Sequence, residues 1–68
     1  MNMMERTDGP AIVSYGDGEF VVMRPGRYVL CAVSGQRIPL EVLRYWSVVR
    51  QEAYAGPEQA TQALAGAR

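Results

Sequence analysis

The 68-residue chain has no histidine, no lysine and one cysteine, Cys31. A lone cysteine has no partner for an internal disulfide. Without histidine, a metal would have to be held by Cys31 and carboxylates, a poor set for zinc. The base that most often activates a thiolate nucleophile is missing as well. We therefore expect no metal, no cofactor and no enzyme activity. No apolar run approaches the roughly 20 residues of a membrane span. The opening residues, Met1-Asn2-Met3-Met4-Glu5-Arg6-Thr7-Asp8, are polar and acidic and lack the apolar stretch of a signal peptide. A single thiol also fits a reducing compartment. The expectation is a cytoplasmic protein with no membrane partner.

Net charge is absent too. Seven arginines balance seven acids, which removes any general drive toward DNA or anionic lipid. The charge is nevertheless unevenly spread. Arg24, Arg27, Arg37, Arg44 and Arg50 share the middle of the chain with one acid, Glu41, whereas Glu5, Asp8, Asp17 and Glu19 precede them against Arg6 alone. The chain is long enough for one domain only. Domains this small commonly add a disulfide, a metal or a partner chain to a limited core. With the first two set aside, association with another protein or with a second copy is the expected support.

What is present is a series of short apolar runs punctuated by turn residues. Residues 1–10 read as a flexible leader ending at Gly9-Pro10. Residues 11–15 and 19–23 read as strands joined by Gly16-Asp17-Gly18, a tight-hairpin signal. Arg24-Pro25-Gly26-Arg27 carries the type II turn pattern, which predicts positive φ at Gly26. Residues 28–33 are almost wholly apolar and should be the most buried strand. Ser34-Gly35-Gln36 turns again and Arg37-Ile38 starts back, so residues 11–38 predict an antiparallel meander. Val42, Trp46, Val49 and Ala53 follow helical spacing, but Val42-Leu43-Arg44-Tyr45-Trp46 is equally good strand composition. We read 42–46 as extended, with Ser47 capping a short helix near 48–54. Gly56 closes the 11–56 β-rich unit. Pro57 and Glu58 open a terminal helix over 57–68. The expected fold is therefore a small α+β domain: a three- to four-stranded antiparallel β-meander with one or two short C-terminal helices.

Chemistry-bearing motifs are few. Gly16-Asp17-Gly18 and Pro25-Gly26 are not phosphate loops, because neither leads into a helix start. No carboxylate pair has the spacing or setting of a general acid and base. Cys31-Ala32-Val33-Ser34-Gly35 places serine where a zinc knuckle has its second thiolate. The run Cys31-x-x-Ser34-Gly35-x-x-Ile38-Pro39, then Leu43, resembles the C4 zinc finger of the DnaK-suppressor/TraR group of RNA-polymerase-binding proteins. In that pattern the second ligand pair would fall near Glu52 and Ala55, so three of the four ligand positions carry no thiol. The resemblance thus implies a degenerate zinc ribbon lacking its metal. A longer string resembles, more specifically, a family of short bacterial proteins classed only as a domain of unknown function. It comprises Cys31-Ala32-Val33-Ser34-Gly35, Ile38-Pro39-Leu40, Leu43-Arg44-Tyr45-Trp46-Ser47 and Gln51-Glu52-Ala53-Tyr54. That resemblance implies a fold-sized unit and no known activity.

The remaining candidate is a surface. Arg44, Tyr45, Trp46, Arg50 and Tyr54 gather the residue types enriched at binding hot spots. If 42–46 is a strand, Tyr45 and Trp46 take opposite faces. Trp46 is then the better core residue and Tyr45 the one left for a partner. The first functional expectation is a non-catalytic protein-interaction, regulatory or assembly module. The second is a nucleic-acid-associated domain whose arginines contact phosphate and whose aromatics stack on bases.

Overall fold

A computed structural model describes residues 8–65. They form six short strands and one α-helix: β1 (Ile12–Tyr15), β2 (Phe20–Arg24), β3 (Tyr28–Leu30), β4 (Arg37–Pro39), β5 (Tyr45–Ser47), β6 (Glu52–Tyr54) and α1 (Pro57–Ala65), with a 3-10 turn at Leu40–Val42. The strands pair as three antiparallel hairpins, β1–β2, β3–β4 and β5–β6. The α+β class holds, with more strands than expected and no continuous meander.

Each hairpin follows from its loop. Gly18 takes φ +94°, and the Gly16 N–H donates to the Glu19 carbonyl at 2.7 Å, closing the first. Gly35, at φ +77°, closes the second as its N–H donates to the Cys31 carbonyl at 2.9 Å. The third corrects the helix expected near 48–54. The Ser47 hydroxyl accepts from the Arg50 N–H at 3.0 Å, as a capping serine does. Gln51 then turns to φ 54° and the chain returns as β6 instead of continuing in a helix. The Gln51 side chain holds this left-handed residue in place. Its amide accepts from the Tyr15 N–H at 2.9 Å and donates to the Tyr15 carbonyl at 2.8 Å and the Val48 carbonyl at 2.7 Å. It thereby satisfies backbone groups on the free side of β1 and ties the first hairpin to the third.

The meander fails at Arg24-Pro25-Gly26-Arg27. Gly26 is not among the positive-φ glycines, so the type II assignment is wrong. Glycine is needed there for space. A Cβ would collide with the Pro10 carbonyl carbon and the Ala11 nitrogen, and would lie 2.6 Å from the Ala11 Cα. The chain before β1 occupies the place where β2 would have paired with β3. The Arg27 N–H donates to the Gly9 carbonyl at 2.8 Å, the Ala11 N–H donates to the Tyr28 carbonyl at 2.7 Å, and Pro10 bridges Tyr28 in parallel. Gly9 and Pro10 are therefore built into the fold and are not a loose leader. Residues 1–7 of that expected leader, and 66–68 of the expected terminal helix, lie outside the described residues.

β3 is the central strand. β4 pairs along one side of it, and a parallel bridge from Cys31 to Ala53 joins the chain just past its end to β6. Burial then alternates with the two-residue strand period. Val29 and Cys31 point into the core, Leu30 is half exposed, and Val33 lies outside. The strand expected over 28–33 to be the most buried is thus a one-faced strand over Tyr28–Leu30, and β6, with Ala53 and Tyr54 both buried, is the more buried one. The core comprises Ala11, Tyr15, Val29, Cys31, Ile38, Leu43 and Ala53, flanked by Val13, Phe20, Leu40, Trp46 and Ala55. On α1, Pro57 sits in the first turn, where a missing N–H removes no helical bond. The helix packs on β5 and β6 without burying a residue of its own.

Candidate functional site

The first hairpin and β5 build a cleft between them. Tyr15 and Phe20 are register partners across β1–β2 and share one face. That face rests on Trp46. The Trp46 ring lies 5.9 Å from Tyr15, tilted by 31°, and 5.7 Å from Phe20, edge to face. Its indole N–H donates to the Gly16 carbonyl at 2.8 Å, fixing the ring against the hairpin loop. Beside Trp46 opens a cleft of about 660 Å³ lined by Gly18, Glu19, Phe20, Leu43, Arg44 and Trp46. Phe20, Leu43 and Trp46 form its apolar part, and the rest of its lining is polar. Glu19 and Arg44 are exposed at its margin, and neither is in an ion pair among the described residues.

This geometry divides the five residues singled out in the sequence. Arg44 and Trp46 line the cleft, Trp46 half-buried as a core-facing residue. Tyr45 lies on the opposite face of β5, 40% exposed, beside its register partner Tyr54. Tyr54 is 2% exposed and so offers no surface. Its hydroxyl donates to the Glu52 carboxylate at 2.8 Å, and burial together with that carboxylate raises its pKa. Arg50 stands at the tip of the third hairpin and pairs with Glu52 at 3.6 Å. Four cleft residues, Gly18, Glu19, Phe20 and Leu43, are not among those five. A signal for Phe20 did exist: it is the sole phenylalanine and follows a tight turn, with four residues between it and Tyr15. Such a loop places the two rings on one face.

Cys31 forms a second chemical feature. Its sulfur is buried and accepts backbone N–H groups from Val33 at 3.4 Å, Ser34 at 3.3 Å and Ala55 at 3.3 Å. Burial pushes the thiol pKa up, but the Ser34 side chain and the N–H groups of Ser34, Ala55 and Val33 outweigh it, leaving a value of about 7. The turn at 31–35 and the end of β6 therefore meet at this sulfur. What meets at the sulfur is backbone: among the described residues no three His, Cys, Asp or Glu side chains group as a metal set. The DnaK-suppressor/TraR resemblance, and the degenerate zinc ribbon it implies, are unsupported.

Among the described residues no helix is long and apolar enough to cross a membrane. No curated protein and no solved structure matches the chain. A family model does match, over residues 22–63, more than half of the chain and most of the stretch that carried the sequence resemblance. The chain belongs to the bacterial family described as uncharacterized protein conserved in bacteria (DUF2093).

Proposed function

We propose that this domain is a non-catalytic protein-interaction module, acting in regulation or assembly in the cytoplasm. The observation that carries the reading is β2. Val21, Val22 and Met23 are 55%, 42% and 64% exposed on consecutive residues of one strand. β2 pairs with β1 on one side and with nothing on the other among the described residues. An apolar edge strand with unpaired backbone groups is a template for another chain, and proteins without a use for it blunt it with charge or cover. Here the charge is confined to the ends, Glu19 and Arg24.

The nucleic-acid reading draws on Arg24, Arg27, Arg37, Arg44 and Arg50, all of them exposed. Arg37 already lies over the Tyr28 ring, 4.8 Å from its centroid, and Arg50 on Glu52. Site-specific photo-crosslinking in the native cell, with the probe at Met23, Tyr45 or Val49, tests the two readings. Discrete protein adducts that survive high salt are expected. Adducts to nucleic acid that vanish steeply with salt are the outcome of the other reading, and absence of any adduct from all three positions removes the first.

A further inference from the structure

We infer that the outer edge of β2 and the adjoining cleft form a single docking site for an extended segment of a partner protein, which adds a strand to β2 and inserts one apolar side chain between Phe20 and Trp46. This rests on the interaction-module reading and specifies its site and ligand chemistry. Three observations combine. First, the free edge and the cleft are contiguous: Phe20 begins β2 and also lines the cleft, while no β1 residue does. The cleft thus adjoins the loop end of β2, where its unpaired edge begins. Second, side chains alternate along a strand. Phe20 and Val22 share the face turned toward Trp46, by the register that pairs them with Tyr15 and Val13. A residue of an added strand opposite Phe20 would project to that same face, into the space bounded by Phe20, Leu43 and Trp46.

Third, charge selects the partner. Glu19 and Arg44 flank the cleft with opposite signs, and both are free of ion pairs among the described residues. A nucleic-acid strand carries anionic charge throughout and would meet Glu19 unfavourably. An anionic lipid surface meets the same obstacle. A polypeptide segment with an apolar residue between a basic and an acidic one satisfies both groups. Main-chain bonds to β2 then supply register-independent affinity, and the cleft and its two charges supply selection.

The test uses the full chain, isotope-labelled for NMR, and a panel of blocked ten-residue peptides of alternating Thr and Val. Each has a central Leu or Trp with Lys on one side and Asp on the other, in both orders. The expected result is perturbation of the Phe20–Arg24 amides and the Trp46 indole N–H by one charge order. Methylating alternate peptide amides should weaken that binding about tenfold, the scale of one or two lost hydrogen bonds. In the Glu19→Lys, Arg44→Glu double variant the preferred order should reverse. Both substituted residues are exposed, and retained amide dispersion confirms the fold. If no peptide perturbs β2, or if the double variant keeps the original preference, the proposal fails. It also fails if concentrating the protein alone shifts the β2 amides, because the occupant is then a second copy. In either case protein adducts at Tyr45 or Val49 would leave the interaction-module reading standing at another surface, whereas absence of adducts at every probed position would remove both.

Discussion

β2 and β3 have almost the same character as sequence and opposite positions in the fold. Phe20-Val21-Val22-Met23 and Tyr28-Val29-Leu30-Cys31 are both short, apolar and strand-forming. β3 has a neighbour on each side, β4 on one and Pro10 on the other, with Ala53 bridging Cys31 just past its end, and β3 with Cys31 supplies Val29 and the thiol to the core. Among the described residues β2 has β1 alone, and after Phe20 each of its residues is exposed. Apolar composition makes a strand, but the number of neighbours makes it core. Among the described residues no element covers β2, and it forms surface.

The comparison is sharpened most by truncation beside β3. Ile38, the register partner of Val29, is 3% exposed. Ile38→Ala should cost about 2–4 kcal/mol in urea unfolding, the usual range for a buried aliphatic side chain. A loss near zero would mean that β3–β4 is not the core. Next is the crossing that separates the two strands. Gly26→Ala should cost roughly 1–3 kcal/mol, because the added methyl meets the Pro10–Ala11 backbone. Gly26→Asn should be no milder. If asparagine rescues, the constraint is positive φ rather than space, and the type II turn returns.

Cys31 offers a smaller, pH-dependent effect on the β3 side. Its folded pKa, about 7, lies below the ordinary thiol value of 9.0. Between those two values the unfolded chain holds the proton that the folded chain has released. The thiolate's contribution is therefore fully present above about pH 9 and is lost as pH falls through about 7. Relative to Cys31→Ala, wild-type stability should rise across that window. Parallel pH profiles would place the sulfur among spectators rather than in its N–H cradle.

The smallest effect belongs to β2. Val21→Thr keeps the β-branched shape on an exposed edge and should change stability by no more than about 0.5 kcal/mol. A loss as large as that of Ile38→Ala would show that β2 is covered after all.

Local chemistry was legible wherever a residue's own backbone or side chain decided the outcome. Gly16-Asp17-Gly18 and Ser34-Gly35-Gln36 read as turns because glycine admits positive φ, and Gly18 and Gly35 adopt it. Pro57 marked the start of α1, and the alternation of Tyr45 and Trp46 placed Trp46 inward and Tyr45 outward. Ser47 was recognised as a capping residue, but the same hydroxyl-to-N–H bond closes a hairpin as readily as it starts a helix. The choice fell to Gln51, whose amide reaches Tyr15, thirty-six residues earlier in the chain. Gly26 failed for a similar reason: its need is set by Pro10 and Ala11, not by its neighbours in the turn. The hairpin side of the cleft escaped notice because Gly18, Glu19 and Phe20 come together with Trp46 and Arg44 only when the first hairpin folds over β5. Turn dihedrals, strand alternation and helix starts are properties of a few consecutive residues. Which strand is central, which glycine is squeezed and which side chains share a cleft depend on contacts between distant segments, and only the folded chain decides them.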